Sequence, residues 1–407
     1  MNFYDLVEAY GLRLFAVGGC VRDEIMGYNP KDCDYVVEST LEEFNKTFPN
    51  MVSVGNHFPV FLVDKDGESV EVALTRTEKS NGNGYHDFEV DKIGVSIEED
   101  LFRRDFSINS IAKRYLTGEI IDPYNGRRDI EVGLIRTINP NSFSDDPLRL
   151  IRACRFAVRY QFSFDMDTYN SIRENAHRIK YISNNRIVAE LKKVVDEGTS
   201  LDDFIFGMSV LNILEHVFPL LYKLNHVCAG PEKYHGNLSA FKHSLNVTKR
   251  VQERGGNFAT IMSALFHDLG KGDTPKELEE QGHHYGHEFR SYELVKQIVN
   301  EYPFDCYTRD LMLFCAKNHM KVHIIHKMRV RKLMEFYKSI PKKLYDDFFL
   351  MCECDHEFSE EQFEVKKKLD KMKNIVYDVD KINKTNNKEQ EVINQMVKFY
   401  NTLENIK

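Results

Sequence analysis

Several features that would direct the chain to a membrane or an oxidising compartment are missing from the sequence. No apolar run approaches the length that spans a bilayer, and the first residues carry Asp5 and Glu8 instead of a basic leader, so no signal peptide is predicted. Eight cysteines are scattered without a C-x-x-C pair, which argues against a disulfide framework or a zinc ribbon. We therefore expect a cytoplasmic protein with reduced thiols and no membrane partner.

Internal repeats and low-complexity stretches are also missing, so a repeat architecture is not predicted. The composition, with 42% hydrophobic and 29% charged residues, is typical of a globular protein. A chain of 407 residues has room for roughly two to four domains with cores of their own.

The net charge of −8 by itself argues against nucleic-acid binding, but the charge is unevenly distributed. Residues 1–100 carry 8 Lys or Arg and 20 Asp or Glu, whereas residues 101–190 carry 15 and 11. An acidic segment can hold hard cations and an arginine-rich segment can hold phosphates. Ordinary surface charge would give the same numbers, so other residues must decide.

The pattern of apolar residues predicts a mixed α/β amino half followed by an all-helical remainder. The turn Asp122-Pro123-Tyr124-Asn125-Gly126 separates the two halves, and helical periodicity runs from Asp145 almost to the end. The fold class is therefore α+β. The predicted strands are 14–18, 34–37, 59–63, 69–75, 119–121 and 134–138, with a short helix over 21–27 and a flexible loop from Lys79 to Val90.

A pair of glycines marks the first candidate site. Gly18 and Gly19 follow a predicted strand and precede a helix, where backbone N–H groups can approach a phosphate closely. Arg22, one turn into the helix, can add a charged donor. Taken alone, two glycines after a strand are more often an ordinary turn.

The triplet Asp32-Cys33-Asp34 follows shortly after the glycines. Alternate residues of a strand face the same side, so both carboxylates point one way and Cys33 the other. Two carboxylates held together repel unless a cation lies between them, and Mg²⁺ favours such oxygen ligands together with substrate phosphate. Glu71, on a later strand, is either a third ligand or an exposed strand residue, and the sequence leaves that choice open.

At this point the sequence resembles a known family. The pattern G-G-x-V-R-D followed by D-x-D is similar to the signature of the class II tRNA nucleotidyltransferases, or CCA-adding enzymes, of the polymerase-β superfamily. The further motifs with family counterparts are LFRRDFSINSIA at 101–112, IIDPYNGRRDI at 120–130, DDPLRLIRACRFAVRY at 145–160 and ISNNRIVAEL at 182–191. The resemblance is strongest to the bacterial subgroup with a fused HD domain.

The resemblance implies a polymerase-β-like head at 1–138, a helical neck for base recognition and tRNA contact at 139–225, an HD domain at 226–340 and a helical tail at 341–407. It also implies a Mg²⁺-dependent attack of the tRNA 3′-hydroxyl on the α-phosphate of CTP or ATP, with catalytic carboxylates Asp32, Asp34 and Glu71, of which Asp32 and Asp34 bind the metal. The implied nucleotide-binding residues are Gly19, Arg22, Arg103, Arg104, Asp105, Asn109, Asp146, Arg149, Arg152 and Arg155.

Asp146 and Arg149 suggest how C and A are chosen. Cytosine and adenine both present an amino donor beside a ring-nitrogen acceptor, whereas uracil and guanine present the reverse order. A carboxylate only accepts hydrogen bonds and a guanidinium only donates them. Residues three apart are neighbours on a helix, so the pair can satisfy C or A and leaves U or G with unpaired groups, each costing about 1–3 kcal/mol.

The histidines of the second half resemble an HD phosphohydrolase site, most specifically FHDLGKG at 266–272. The resemblance implies a transition metal such as Ni²⁺ and hydrolysis of phosphoesters, including 2′,3′-cyclic phosphates. The usual final His-Asp stands here as His319-Met320, so either the remaining ligands suffice or the site is degraded and only supports tRNA. The residues assigned to this metal are His243, His267, Asp268, His283, His284 and His319, with His287 nearby; the other histidines are predicted to be ordinary.

The predicted function is the addition of CCA to tRNA, and three alternatives remain open. They are a poly(A) polymerase of the same fold, an HD phosphohydrolase with an RNA-binding head, and an inactive tRNA-binding protein. The full length of the loop at 79–90 favours complete CCA addition over a CC-only enzyme. Whether the chain is a monomer or a homodimer is left open.

Overall fold

The computed structural model describes residues 3–30, 33–51, 53, 59–65, 68–80, 88–231, 237–275, 283–373 and 388–403. Two compact units divide the chain: Met1–Thr199 with Phe206–Val217, and Ser200–Ile205 with Phe218–Lys407. The first unit contains a small mixed sheet and the second is helical throughout its described part, so the α+β class is confirmed. The finer division into head, neck, HD domain and tail stays a prediction.

The first unit opens with a six-stranded sheet and its covering helices. Its early elements are α1 (Phe3–Ala9), β1 (Arg13–Val17), α2 (Gly19–Ile25), β2 (Asp34–Glu38), α3 (Leu41–Thr47), β3 (Val60–Lys65), β4 (Glu68–Leu74), β5 (Arg76–Ser80), β6 (Phe88–Ile93), α4 (Ile97–Phe102), β7 (Ala112–Arg114) and β8 (Ile120–Ile121). The strand order is β3-β4-β2-β1-β7-β8, and β5 and β6 form a separate hairpin.

Period-two alternation gives this sheet two buried faces. Leu14 and Val37 pack with Tyr4 of α1 and Phe44 of α3 on one face. On the other face Phe15, Val17 and Val36 pack against Ile97 and Leu101 of α4. Because β1 and β2 are antiparallel with Val17 opposite Asp34, the end of β1 and the start of β2 meet at one edge.

A helical segment completes the first unit. Its elements are α5 (Gly126–Val132), β9 (Leu134–Ile135), α6 (Ser142–Asp145), α7 (Leu148–Tyr160), β10 (Ser163–Phe164), α8 (Met166–Asn175), α9 (Asn184–Asp196), α10 (Leu201–Val210) and α11 (Leu214–Val217), of which α10 begins in the second unit. One face of α7 buries Leu150, Ile151, Cys154 and Phe156, and its arginines other than Arg155 are at least partly exposed.

The second unit is built around α14, which is buried along nearly its whole length because its sequence is apolar on every face. The helices α13, α16 and α18 pack against it. The elements of this unit are α12 (Pro219–Lys223), α13 (Ala240–Glu253), α14 (Phe258–Phe266), α15 (His287–Glu301), α16 (Cys306–His323), α17 (Val330–Ser339), α18 (Tyr345–Asp355), α19 (Glu360–Met372) and α20 (Lys388–Thr402).

The predicted flexible loop at 79–90 is partly wrong. Lys79 and Ser80 belong to β5, and residues 88–90 belong to β6, where Lys79 pairs with Glu89 and Ser80 with Phe88. Residues 81–87 lie outside the described part of the chain. The strand predicted at 134–138 is limited to Leu134–Ile135, and β7 had not been predicted. A search of the described helices finds none that combines the length and apolar character needed to cross a membrane.

Candidate active site

A cleft of about 490 Å³ in the first unit collects most of the residues predicted from the sequence. Nine arginines and five carboxylates line it, which gives the cleft a positive balance suited to a polyanion such as a triphosphate. The predicted residues among the lining are Gly19, Arg22, Asp34, Arg103, Arg104, Asp105, Asn109, Asp146, Arg149, Arg152 and Arg155.

Gly18 and Gly19, the glycine turn, line the cleft. Gly18 has a φ of 74°, a conformation that residues with a Cβ rarely adopt, and it caps the start of α2. A Cβ on Gly18 would lie 3.1 Å from Nη1 of Arg104. The turn therefore keeps backbone and guanidinium close together, as a phosphate site requires.

Asp34 is exposed at the start of β2, opposite the end of β1. None of the described Lys or Arg side chains forms an ion pair with it. Glu71 on β4 is also exposed, and the parallel register that pairs Tyr35 with Val72 puts Glu71 beside Asp34. Both carboxylates can therefore hold a cation between them. Asp32 lies outside the described residues, so its part in the site stays a prediction.

Asp100 is a buried carboxylate that sequence reasoning missed. It accepts hydrogen bonds from Nε and Nη2 of Arg103, from Nη2 of Arg104 and from the backbone N–H of Arg76, at 2.9–3.1 Å. Burial alone would raise the pKa of Asp100, but Arg104 and Arg103 outweigh burial and lower it. The spacing of three and four residues from Asp100 to Arg103 and Arg104, at and just beyond the end of α4, is the signal that could have revealed it.

Asp105 connects the segment at 101–112 to α7. Its Oδ2 accepts from Nε and Nη2 of Arg152 at 2.9 and 2.7 Å, and its Oδ1 accepts from Nδ2 of Asn109 at 2.9 Å. Burial alone would raise the pKa of Asp105, but Arg152 and Asn109 lower it to about 2. Arg22 donates to Oδ1 of Asn109 and lies over the rings of Phe156 and Tyr160. These side chains are therefore fixed before any ligand binds.

The placement of Asp146 on a helix is wrong. Because Pro147 follows it, Asp146 is extended, with φ −131° and ψ 97°, and α7 begins only at Leu148. Its two oxygens accept from Nη1 and Nη2 of Arg186 on α9, both at 3.2 Å, a bidentate pair that sequence reasoning missed. Arg149 donates instead to the carbonyl of Arg103 at 2.6 Å and to Oγ of Ser142 at 2.9 Å.

Two arginines of α7, Arg155 and Arg159, form ion pairs with carboxylates of the protein. Arg155 is buried and donates to Glu190 and Glu197, each at 2.9 Å, so its charge is compensated within the protein. Arg159, which was not among the residues assigned to the site, lines the cleft and pairs with Glu197 at 2.6 Å. A nucleotide role for Arg155 stays a prediction.

The second unit contains a separate cluster of buried histidines and carboxylates. Its members are His243, His267, Asp268, His287, His319 and Asp355. Nε2 of His243 lies 2.9 Å from Oδ1 of Asp355, and Nε2 of His267 lies 3.2 Å from Asp268 and 3.3 Å from Asp355.

The ring orientations suit a metal ion. Nδ1 of His267, His287 and His319 each lies within 2.7–3.1 Å of a backbone carbonyl, which places the proton there and leaves the Nε2 lone pair inside the cluster. Nε2 of His287 then faces Nε2 of His319 at 3.2 Å and Oδ1 of Asp268 at 3.1 Å, acceptor against acceptor. A cation between these atoms relieves the repulsion.

The hydrogen bonding of the described residues also favours a metal ion in this cluster. Nε2 of His267 and Oδ1 of Asp268 are buried and make no aligned hydrogen bond. Burial lowers the pKa of His319 to about 4, so this ring stays neutral, as a metal ligand must. At His267, burial also favours the neutral ring, but Asp268 and Asp355 outweigh it and raise the pKa to about 10, so a bound metal would have to displace a proton there. The donor set of imidazoles and carboxylates therefore fits a divalent transition metal.

Two of the predicted ligands are not brought into this cluster. Nδ1 of His284 lies 2.8 Å from the hydroxyl of Thr274, and its Nε2 lies 2.9 Å from the carbonyl oxygen of Cys228. Both ring nitrogens are therefore already engaged by the protein. His283 stacks on Tyr285 with a centroid distance of 5.1 Å.

Asp355, at the end of α18, brings a second carboxylate to this cluster, where the sequence has Met320 after His319. Whether the cluster is a complete metal site stays a prediction. Asp355 is 112 residues beyond His243, and no local motif marks it. His323, interpreted from sequence as ordinary, contacts Asp355 at 3.0 Å. An Asp within an apolar helix, in DDFFLMCECD, is the signal that could have drawn attention to it.

Comparison with known families divides the chain in the same order as these sites. Residues 14–136 match the family described as the poly A polymerase head domain. Residues 161–224 match the family described as a probable RNA- and SrmB-binding site of polymerase A, and residues 240–385 match the HD domain.

Relatives and solved structures extend the similarity over most of the chain. The multifunctional CCA protein of Methylobacillus flagellatus is 34% identical over 357 residues, which cover 84% of each chain. The CCA-adding enzyme of Thermotoga maritima complexed with tRNA aligns with a TM-score of 0.66 at 20% identity, covering 97% of this chain and 88% of that one. A CCA-adding enzyme complexed with CTP gives the same TM-score and identity, covering 97% and 87%.

Proposed function

The chain belongs to the family of multifunctional CCA proteins, and on that basis we propose that its arginine-lined cleft adds CMP and AMP to the 3′ end of tRNA. The observation that carries the proposal is the placement of Asp34 and the glycine turn in one cleft with Asp146 and Arg149. One edge of the cleft can thus hold a triphosphate while another reads a base. The presence of tRNA and CTP in complexes of enzymes with this fold supports the same assignment.

In the proposed reaction the terminal 3′-hydroxyl attacks the α-phosphate and pyrophosphate leaves. Asp34, with Asp32 and Glu71, would hold Mg²⁺, which when bound supplies charge neutralisation at the attacking and leaving oxygens. The backbone at Gly18–Gly19 and the guanidiniums of Arg103 and Arg104 hold the phosphates. Asp100 fixes both guanidiniums, so little side-chain entropy remains to be lost when the nucleotide binds.

The protein itself supplies the base choice. A carboxylate offers about four acceptor positions, and Arg186 and the N–H of Leu148 occupy three of those on Asp146. One position remains for the amino group of cytosine or adenine. Arg149 uses two of its five N–H groups and can donate another to the ring nitrogen.

An assay with each nucleotide triphosphate, singly and in pairs, on tRNA that ends before CCA tests the proposal. We expect CTP alone to add two residues, CTP with ATP to add three, and UTP or GTP to add none. A run of adenosines from ATP alone would indicate a poly(A) polymerase instead. Absence of any incorporation would refute nucleotide transfer altogether.

We infer a second activity, metal-dependent hydrolysis of phosphoesters, for the histidine cluster of the second unit. Its support is the convergence of the Nε2 atoms of His287 and His319 on Oδ1 of Asp268, at 3.1 and 3.5 Å, while Nδ1 of each ring lies near a backbone carbonyl. These residues with His243, His267 and Asp355 would hold Ni²⁺ or a similar ion, which when bound supplies an activated water. Lys271, whose Nζ lies 2.7 Å from Oδ2 of Asp268, orients that carboxylate.

Replacing Asp355 with alanine is expected to release the metal, since His243 and His267 lose a shared partner. Metal retained after dialysis, measured by atomic emission, should fall by about tenfold or more, and hydrolysis of a 2′,3′-cyclic nucleotide should fall with it. His283→Ala, which removes a histidine outside the cluster, serves as the control. Wild-type protein that retains no metal and hydrolyses nothing would leave this unit without the inferred activity.

We also propose a cytoplasmic location, because the eight cysteines are present as free thiols.

A further inference from the structure

The second half of the chain contains a strongly basic stretch that neither activity uses. Residues 317–343 hold nine Lys or Arg and a single acidic residue, Glu335, a net charge of +8 in a chain whose total is −8. The stretch covers the end of α16, all of α17 and the turn before α18. Solubility does not require that the charges of a surface share one sign, and like charges this close repel each other. The excess of positive charge is therefore suited to an anionic ligand.

The geometry turns part of this stretch into a groove of about 560 Å³. Lys317 and Lys321, one turn apart on α16, line one side, and the segment from Ser339 to Leu344 lines the other. Tyr292 and Phe314 contribute aromatic surface to the same groove. The groove therefore combines positive charge with ring faces.

Neither lysine forms an ion pair with a carboxylate in the described part of the chain. Among the described residues, no Asp or Glu lies within ion-pair distance of Lys317 or Lys321. Nζ of Lys317 lies 4.9 Å from the ring centroid of Tyr292, and Nζ of Lys321 donates to Asn318 at 2.8 Å. Burial lowers the pKa of Lys321 and the charge of Lys317 lowers it further, while Glu288 opposes them without reversing the shift. Asp310, which also lines the groove, pairs with Lys343.

We propose that this groove binds the phosphodiester backbone of tRNA, through Lys317 and Lys321 of the second unit. The choice of RNA rests on the proposed function, in which tRNA is the polymeric anion that the enzyme must hold. Lysine ammonium groups are point charges suited to phosphates, whose contacts position a nucleic acid without reading its sequence. Ring faces such as Tyr292 can also contact sugars and unpaired bases.

The double variant Lys317→Glu/Lys321→Glu tests the groove. We expect the Kd for tRNA to rise by about tenfold or more, and the slope of log Kd against log salt concentration to decrease by about two. In CMP addition, the loss should fall on KM for tRNA and not on KM for CTP. Filter binding over a range of KCl concentrations measures the first two quantities, and thermal unfolding checks that the variant folds.

Lys249→Glu/Lys371→Glu is the matched control, because it makes the same change of charge at exposed lysines of the same unit outside the basic stretch. The proposal would be overturned if the control weakened tRNA binding as much as the test variant does. A Kd of the test variant within about twofold of wild type would overturn it as well. Loss of binding to anionic vesicles with unchanged tRNA binding would assign the groove to a membrane instead. Wild-type protein that binds tRNA but adds no CMP would refute the proposed function and still leave this comparison decisive.

Discussion

Replacing Asp34 with alanine is expected to lower kcat for CMP addition by about a thousandfold or more, roughly 4 kcal/mol of transition-state stabilisation. Asp34 lies exposed at the edge where β1 and β2 meet, beside Glu71 and the glycine turn. Its removal leaves the cation site with one described carboxylate. Because no described side chain depends on Asp34 for an ion pair, the fold and the arginine-lined cleft should survive.

The effect should fall on catalysis and not on tRNA affinity. Single-turnover CMP addition measures the first, and filter binding of tRNA measures the second. Glu42→Ala, which removes an exposed carboxylate of α3 in the same unit, is the control and should leave both unchanged. Transfer by Asp34→Ala at more than about a tenth of the wild-type rate would show that the metal is held elsewhere.

The sequence predicted the sheet of the first unit well because apolar runs and glycine are local signals. The strands around Leu14 and Tyr35 are buried on both faces, so they stand out in the sequence as short continuous apolar runs next to turn residues. The hairpin β5–β6 was missed in part because Lys79, Glu89 and Ser80 are polar, and a strand outside the main sheet needs no apolar face.

The candidate sites show where local reasoning stops. The family resemblance marked Asp105 and Arg152 separately, but nothing in the sequence joined them across 47 positions. Asp355 reaches the histidine cluster only because α18 packs against α13 and α14, a contact set by the fold. Met320 was compared with the aspartate of the family's usual final His-Asp pair, because it directly follows His319 in the sequence. A buried charge requires partners, but its partners are defined only in three dimensions.

Replacing Asp146 with alanine is expected to lower kcat/KM for CTP by about a hundredfold and to reduce the preference for CTP over UTP by about tenfold or more. Cytosine loses the acceptor for its amino group, and Arg186 loses both of its hydrogen bonds to Asp146. Uracil meanwhile no longer faces a carboxylate with its carbonyl. The two changes act in opposite directions on the two nucleotides, so the ratio is the sensitive measurement.

Asp146→Asn separates pairing from packing, because an amide keeps the size of the side chain while offering both a donor and an acceptor. The Asp146→Asn enzyme should use UTP better than the wild-type enzyme does. Its amide oxygen can accept from the ring N–H of uracil, and its amide nitrogen can donate to the uracil carbonyl. Asp145→Ala, next in sequence and bonded to Asn139 at 3.2 Å, should lower activity without changing the ratio, because that carboxylate holds the turn before α7. If UTP and GTP were still excluded from Asp146→Ala as strictly as from wild type, the base would have to be read by another pair of groups.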